Sequence, residues 1–363
     1  MAANYQVQTE DRTYTVVNDV TTIYQVLIIG SVQDQTTAGP IQEPISVQIS
    51  RPDLDPKVVT GGYYVVSGDP EVSFPNLATT SYSFTVTISA DGFVSQSFSI
   101  TIPANSTFPI TQPMVVLART PIRIQGRVTK STSDRSPVAG AKIMSVDDPL
   151  VTPLQHTLAL RTPLYFSHAS GVAVRERPLS AIGPSKQLTA NVPAGTTTML
   201  LSNRSGLAAN RILSFGQDIQ IEYAVIASMD PLPADLTQPG NITLQNGLNH
   251  SFPAGTTVQR VTLGAIGTSR NLQTDTSAGD GLVILDGLLN VDTVEVADPA
   301  ATKLEYHAVG ALTNSDGFYG LDGIGRVSQL SLNASATGLH DSTANWVMDY
   351  SAFVNVVDFR LSP

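Results

Sequence analysis

Apolar and polar residues alternate with a period of two along much of the chain, the pattern of strands with one buried and one solvated face. In "YSFTVTISADGFVSQSFSITI", Tyr82, Phe84, Val86 and Ile88 share one face, "ADG" supplies a turn, and Phe98, Ile100 and Ile102 share one face of the return. This predicts a β-hairpin. "PIRIQGRVTKSTSDRSPVAGAKIMSV" repeats the logic. Ile122, Ile124 and Val128 alternate, a Ser/Asp/Pro loop follows, and Ala141, Ile143 and Val146 return. A second hairpin is expected there, with Gly126 at a bulge or a close-packing point.

The pattern also recurs on a longer scale. "LSAIGPSKQLTANVPAGTTTMLL", Leu179 to Leu201, has a near double in "LGAIGTSRNLQTDTSAGDGLVIL", Leu263 to Leu285. At the same spacing "LALRTPL" from Leu158 matches "ITLQNGL" from Ile242, and "HASGVAV" from His168 matches "FPAGTTV" from Phe252. "IEYAVI" from Ile221 then matches "LEYHAV" from Leu304, at a spacing shortened by a single deletion. Two tandem copies of one β-rich unit are expected, over 145–227 and 228–311. Two copies are too few for a solenoid, so paired modules packed side by side are the expectation.

"IQGRVTKSTSDRSPVAGAKIMSV" and, much later, "TNSDGFYGLDGIGRVSQLSLNASATG" resemble the carboxypeptidase regulatory-like domain, a small transthyretin-like β-sandwich. The matching positions are Gly126, Val128, Pro137, Gly140, Ala141, Thr313, Asp316, Gly317 and Tyr319, with Ile143 and Asn314 as mild substitutions. In that family the two halves lie a few residues apart, whereas here the interval runs from about Ser145 to Leu312. Either an insertion splits the domain or one half matches by coincidence; a duplicated unit filling the interval fits the insertion. A weaker version of the pattern, "IIGSVQDQTTAGPIQEPISVQI" followed by "FPNLATTSYSFTVTISADGF", suggests an earlier sandwich. The expected organisation is all-β and multidomain, with immunoglobulin- or transthyretin-like sandwiches. It comprises an N-terminal sandwich over 1–118, a split sandwich over 119–144 and 312–363, and the inserted pair of modules.

Composition agrees with that class and narrows the function. Of 363 residues 42% are hydrophobic and only 14% charged, the balance of a turn-rich β chain. A net charge of −10 without any basic run speaks against nucleic acid as a partner. The absence of cysteine excludes disulfides, thiolate metal sites and Cys nucleophiles. The first twenty residues carry no basic-then-apolar signal, and the longest apolar run, Tyr24 to Gly30, is far too short for a membrane span. Assembly in the cytoplasm, without a signal peptide, is expected.

Candidate chemistry is sparse. His156, His168, His250, His307 and His340 show no metal-ligand spacing. His307 has Ala224 at its place in the first copy and reads as a surface or interface residue. The phrases "TSAGDGLVILDG" and "TNSDGFYGLDG" raise calcium, but Asp-Gly is a common inter-strand turn and EF-hand spacing is absent. No nucleophile elbow, phosphate loop or dinucleotide fingerprint occurs. The tripeptides at Asn105, Asn203, Asn241, Asn249 and Asn333 follow from an Asn/Ser/Thr-rich composition. Trp346, with Tyr350, Phe353 and Phe359, reads as core or an assembly contact before a sugar platform. No catalytic, cofactor-binding or metal residue is assigned, and no cofactor is expected.

"VPAGTTTMLLSNRSGLAANRILSFGQDIQIEYAVI" resembles the small β modules of bacteriophage tail and contractile injection particle proteins, a likeness confined to the insertion. It implies a non-enzymatic structural or accessory component of a phage-tail-like particle, a contractile injection system or a virion. Its partners would be other particle proteins, with self-association or docking on a symmetric ring. The alternative is a surface adhesin or carbohydrate-binding protein, and an enzyme with dispersed catalytic residues comes third.

Overall fold

The computed structural model describes residues 2–9, 12–19, 25–148, 154–217, 220–298 and 303–363. Tyr24, which opens the longest apolar run, lies outside them. The described chain is almost wholly β, with one short helix, Pro70–Ser73, capped by the Asp69 carboxylate. No helix among the described residues is long and apolar enough to cross a membrane. The chain divides into two compact units, Met1–Thr120 and Pro121–Pro363.

In the first unit, Ala2–Thr9 and Arg12–Asp19 form a two-stranded antiparallel sheet of their own. Gln25–Asp34 anchors a larger sheet, antiparallel to Tyr63–Gly68 and parallel to Val115–Leu117. A three-stranded sheet joins Ile45–Ile49, Tyr82–Ala90 and Gln96–Ile102. The first expected hairpin forms, pairing Phe84 with Ile100 and Val86 with Phe98. Its apolar face supplies Phe84, Val86, Ile88, Ile100 and Ile102 to a core shared with Leu27, Ile28 and Val66 of the larger sheet. Its polar face carries cross-strand hydroxyl bonds, Ser83 to Thr101 at 2.9 Å and Thr87 to Ser97 at 2.7 Å. Asp34, buried at the end of its strand, receives the Arg119 guanidinium at 2.7 Å and ties down the end of this unit.

In the second unit, strands from sequence-distant segments share two facing sheets. Ile122–Lys130 lies between Phe318–Ile324, antiparallel, and Val354–Val356 with Phe359–Leu361, both parallel. Lys142–Val146 lies in the other sheet, between Ala311–Leu312 and Gln329–Ser335, with Ser342–Val347 at the edge. The second expected hairpin therefore does not form: its two arms belong to different sheets. Ile122, Ile124 and Val128 from one arm and Ala141 and Ile143 from the other enter the same core. Alternation reports which face is buried, and two strands that bury their faces against each other alternate just as two paired strands do. Gly126 is a close-packing point, since a Cβ there would run into the Val357 carbonyl oxygen.

The insertion leaves from Lys142–Val146 and returns through Ala311–Leu312, which pair directly. Within it, the expected division at 227/228 into one module per copy is corrected. The first half of each copy pairs with the second half of the other. His156–Ala159 pairs with Leu282–Leu285, and Gly240–Leu244 pairs with Thr198–Leu201. The registers are equivalent. Leu158 opposes Val283, and Ile242, the counterpart of Leu158 in the second copy, opposes Met199, the counterpart of Val283 in the first. Bridges from His168 to Thr276 and from Phe252 to Val192 repeat the relation.

Two reciprocal cores follow. Leu158, Leu160 and Val174 pack with Leu272, Val283, Leu285 and Val296. Leu188, Leu201, Leu213 and Phe215 pack with Ile242, Leu244, Phe252 and Val258. A smaller cluster at the junction joins Ile212, Tyr223 and Val225 to Val261, Tyr306 and Ala308. Equivalent halves offer each other equivalent partners, so an exchange preserves every local pairing while tying both copies into one body.

Candidate functional site

Two arrangements of ionisable groups stand out, one sealed at the junction of the reciprocal cores and one open to solvent. The sealed one is built on Glu222 and Glu305, both buried, in the strands Glu222–Met229 and Lys303–Ala308. An uncompensated carboxylate at such depth would cost several kcal/mol. Glu305 accepts the Tyr165 backbone N–H at 2.6 Å and His307 Nε2 at 2.9 Å, and it contacts His168 Nε2. Glu222 accepts the backbone N–H groups of Asn249 at 2.5 Å and His250 at 3.1 Å, His250 Nδ1 at 3.2 Å, and the Tyr165 hydroxyl at 2.6 Å.

Tyr165 and Asn249 are equivalent positions in the two copies. Each donates its backbone N–H to the glutamate of its own core and reaches across the junction with its side chain. Tyr165 reaches Glu222, and Asn249 Nδ2 donates to the Pro163 carbonyl at 2.8 Å. Burial alone would raise the Glu305 carboxyl, but the bonds from His168, His307 and the Tyr165 N–H outweigh it and hold it at about 2. Burial, followed by the charge of Glu222, pushes the Tyr165 phenol well above its usual value and keeps it a donor.

The open arrangement is a cleft of about 790 Å³ between the outer face of the Ile122–Lys130 sheet and the insertion. Alternation places Arg123, Gln125 and Arg127 outward on this strand while Ile122, Ile124, Gly126 and Val128 turn to the core. Phe318, Gly320 and Asp322 line the neighbouring strand, and Arg161, Gln220 and His250 of the insertion form the opposite wall. Arg123 donates to both oxygens of Asp322 at 2.8 and 3.1 Å and lies over Gly320, where a Cβ would collide with its guanidinium. Arg127 Nε donates to the Asp316 carbonyl at 2.9 Å, and the guanidinium stands 5.2 Å from the centre of the Phe318 ring.

His168 and His307 converge on Glu305, His250 serves Glu222, and His156 pairs with Asp147 at 2.7 Å, while His340 bridges to Ser362. His307 is fully buried at the junction inside the chain, so its reading as a surface or interface residue is corrected. Among the described residues no group of three or more His, Asp or Glu is arranged to hold a metal ion.

Asp280, Asp286 and Asp316 lie at turns, whereas Asp322 lies within the strand Phe318–Ile324, and the carboxylates of Asp280, Asp286 and Asp322 have protein partners. Asp280 pairs with Arg326 at 2.9 Å, Asp286 accepts from Asn271, and Asn314 Oδ1 accepts the N–H groups of Asp316 and Phe318. Trp346 packs half-buried against the sandwich core and donates Nε1–H to Asn355 at 2.9 Å, while Tyr350 and Phe359 are buried and Phe353 is exposed. Sequence reasoning missed Glu222, Glu305 and Tyr165 as a unit, although a charged residue inside each "EY" strand was the available signal. It also missed Arg123 and Arg127, whose alternation with core residues was visible.

No protein-family model matches the chain, and no curated protein matches it. Among solved structures, a crystal structure of the major pilin subunit of Bacillus cereus is similar over 92% of this chain and 98% of its own, at 7% identity and a TM-score of 0.20. The extracellular domain of protocadherin gamma-B4 aligns with 100% of this chain and 71% of its own, at 11% identity and a TM-score of 0.10. Extracellular cadherin domains 1–5 of protocadherin gamma-B2 align with 99% and 86%, at 10% identity and 0.09. At TM-scores this low none of the three carries an argument.

Proposed function

We propose that the chain is a non-enzymatic structural or accessory component of a phage-tail-like particle, a contractile injection system or a virion, where it provides docking and assembly surfaces. The observation that carries this reading is the exchange of halves inside the insertion. Its buried acids and bases, Glu305, His168 and His307, are enclosed and engaged in hydrogen bonds that bind one half to another, an arrangement suited to rigidity. The sandwiches act as spacers and docking faces, and the insertion contacts neighbouring particle proteins, with the chain repeated by the symmetry of the particle. Fractionation and imaging of native particles test this. The chain is expected in the particle fraction at a stoichiometry set by that symmetry; finding it only as a free monomer, with particles complete without it, overturns the reading.

A second reading, a surface adhesin or carbohydrate-binding protein, is favoured by one observation, the open cleft beside Arg123 and Arg127.

A further inference from the structure

The geometry points to the cleft between the split sandwich and the insertion as a binding site for an acidic oligosaccharide, a sugar chain carrying uronate or sialate carboxylates. The volume, about 790 Å³, lies within the range of small-ligand sites. The floor is a rigid sheet face, on which side chains two residues apart stand roughly 7 Å apart. Arg123, Gln125 and Arg127 therefore form a row of donors that suits an extended ligand.

The mixture of groups selects the ligand class. Guanidinium groups are donors only and demand acceptors, which a carboxylate supplies in matching planar geometry. Arg123 already holds Asp322 and Arg127 already holds the Asp316 carbonyl, so both guanidiniums are fixed in orientation before a ligand arrives. Arg123 Nε, turned away from solvent, has no acceptor among the described residues. Asp358 lines the same cleft; its Oδ1 accepts the Arg127 backbone N–H at 2.8 Å, and its carboxylate adds acceptor capacity that a hydroxyl donor can use.

A phosphate offers acceptors but few donors for Asp322 and Asp358 to accept, and an acidic peptide offers backbone N–H groups but no hydroxyls beside its carboxylates. A sugar acid offers a carboxylate and several hydroxyls on one ring and satisfies both kinds of group. Phe318 and Val356, 52% and 53% exposed, add apolar surface on the same wall for the C–H face of a ring. His250 and Arg161 close the other side from the insertion, so the site exists only where sandwich and insertion meet.

This inference rests on the second reading, carbohydrate binding, which survives its failure if the neutral saccharide binds instead, and it stands apart from the particle reading: occupancy of the cleft is read on the purified chain, and particle incorporation in the native fraction. The purified full chain is titrated calorimetrically with tetragalacturonate, a hyaluronan hexasaccharide and sialyllactose, and with neutral galactotetraose, tetraglutamate and inorganic phosphate as comparators. At least one acidic saccharide is expected to bind about tenfold more tightly than the neutral one. Arg127→Gln and Phe318→Ala, both at exposed or half-exposed positions, are each expected to weaken that binding about tenfold with an unchanged thermal transition. Arg127→Lys, which keeps the charge and loses the planar fork, is expected to fall between. The proposal is overturned if no acidic saccharide binds at millimolar concentration, if binding survives both substitutions, or if tetraglutamate or phosphate binds as tightly as the saccharides.

Discussion

Glu305 and Glu222 occupy equivalent places in two reciprocal cores, yet their surroundings differ. Both accept a backbone N–H from the same position of the partner half, Tyr165 in one case and Asn249 in the other. Around Glu305 the remaining donors are two fully buried histidines. Around Glu222 they are the backbone N–H and Nδ1 of a partly exposed histidine, His250, and a phenol reaching across the junction. The backbone contact is what the duplication retained, because it satisfies a loop N–H that would otherwise be buried without an acceptor. The side-chain donors were free to diverge as long as each carboxylate stayed fully hydrogen-bonded.

The largest test removes the comparison altogether. Residues 145–227, expressed alone, are expected to lack a cooperative unfolding transition, because His156–Ala159 and Ala173–Glu176 are left without their strands from the second copy. A folded, cooperative fragment by circular dichroism would refute the exchange of halves.

Next, Glu305→Gln is expected to destabilise the second unit by about 3 to 5 kcal/mol, because two buried histidines lose their charged acceptor. Glu222→Gln, whose histidine is partly exposed, is expected to cost about half as much. Urea denaturation monitored by Tyr and Trp fluorescence compares the two, and equal losses would show that the difference in surroundings has no energetic weight.

The same asymmetry has a pH signature. A carboxyl held at about 2 in the folded chain against an ordinary 4.5 binds fewer protons folded than unfolded. Its contribution, about 3 kcal/mol, is complete above the unfolded value and is lost as pH falls from about 4.5 towards 2. In Glu305→Gln the acid limb of the stability profile should be shallower over that window than in the unaltered chain. Superimposable limbs would remove Glu305 as the group responsible.

The smallest effects lie at the pair of equivalent donors. Tyr165→Phe removes a bond to a buried carboxylate and is expected to cost about 2 kcal/mol. Asn249→Ala removes a neutral bond to the Pro163 carbonyl while keeping its backbone N–H on Glu222, and is expected to cost about 1 kcal/mol. Thermal denaturation of both variants reads the order, and a reversed order would mean that the phenol is the weaker of the two links.

The sequence by itself determined that the chain is all-β, which faces of Tyr82–Ala90, Gln96–Ile102 and Ile122–Lys130 are buried, where Asp-Gly turns fall, and that one unit occurs twice. These properties are local: alternation and turn chemistry act within a few residues, and a repeat is a property of the text. Tertiary structure decided which strands pair, sending Ile122–Lys130 and Lys142–Val146 to opposite sheets and exchanging the halves of the two copies. An alternating strand is compatible with any partner that covers its apolar face, and duplicated halves make competing pairings nearly equal in local energy. It also decided the chemistry. Tyr165, Glu222, His250 and Glu305 are up to 140 residues apart and become one hydrogen-bonded group only because the exchange brings their strands together. The row of Arg123, Gln125 and Arg127 was visible as the polar face of a strand, but only the returning insertion, with Arg161 and His250 as its wall, turned that face into a cleft.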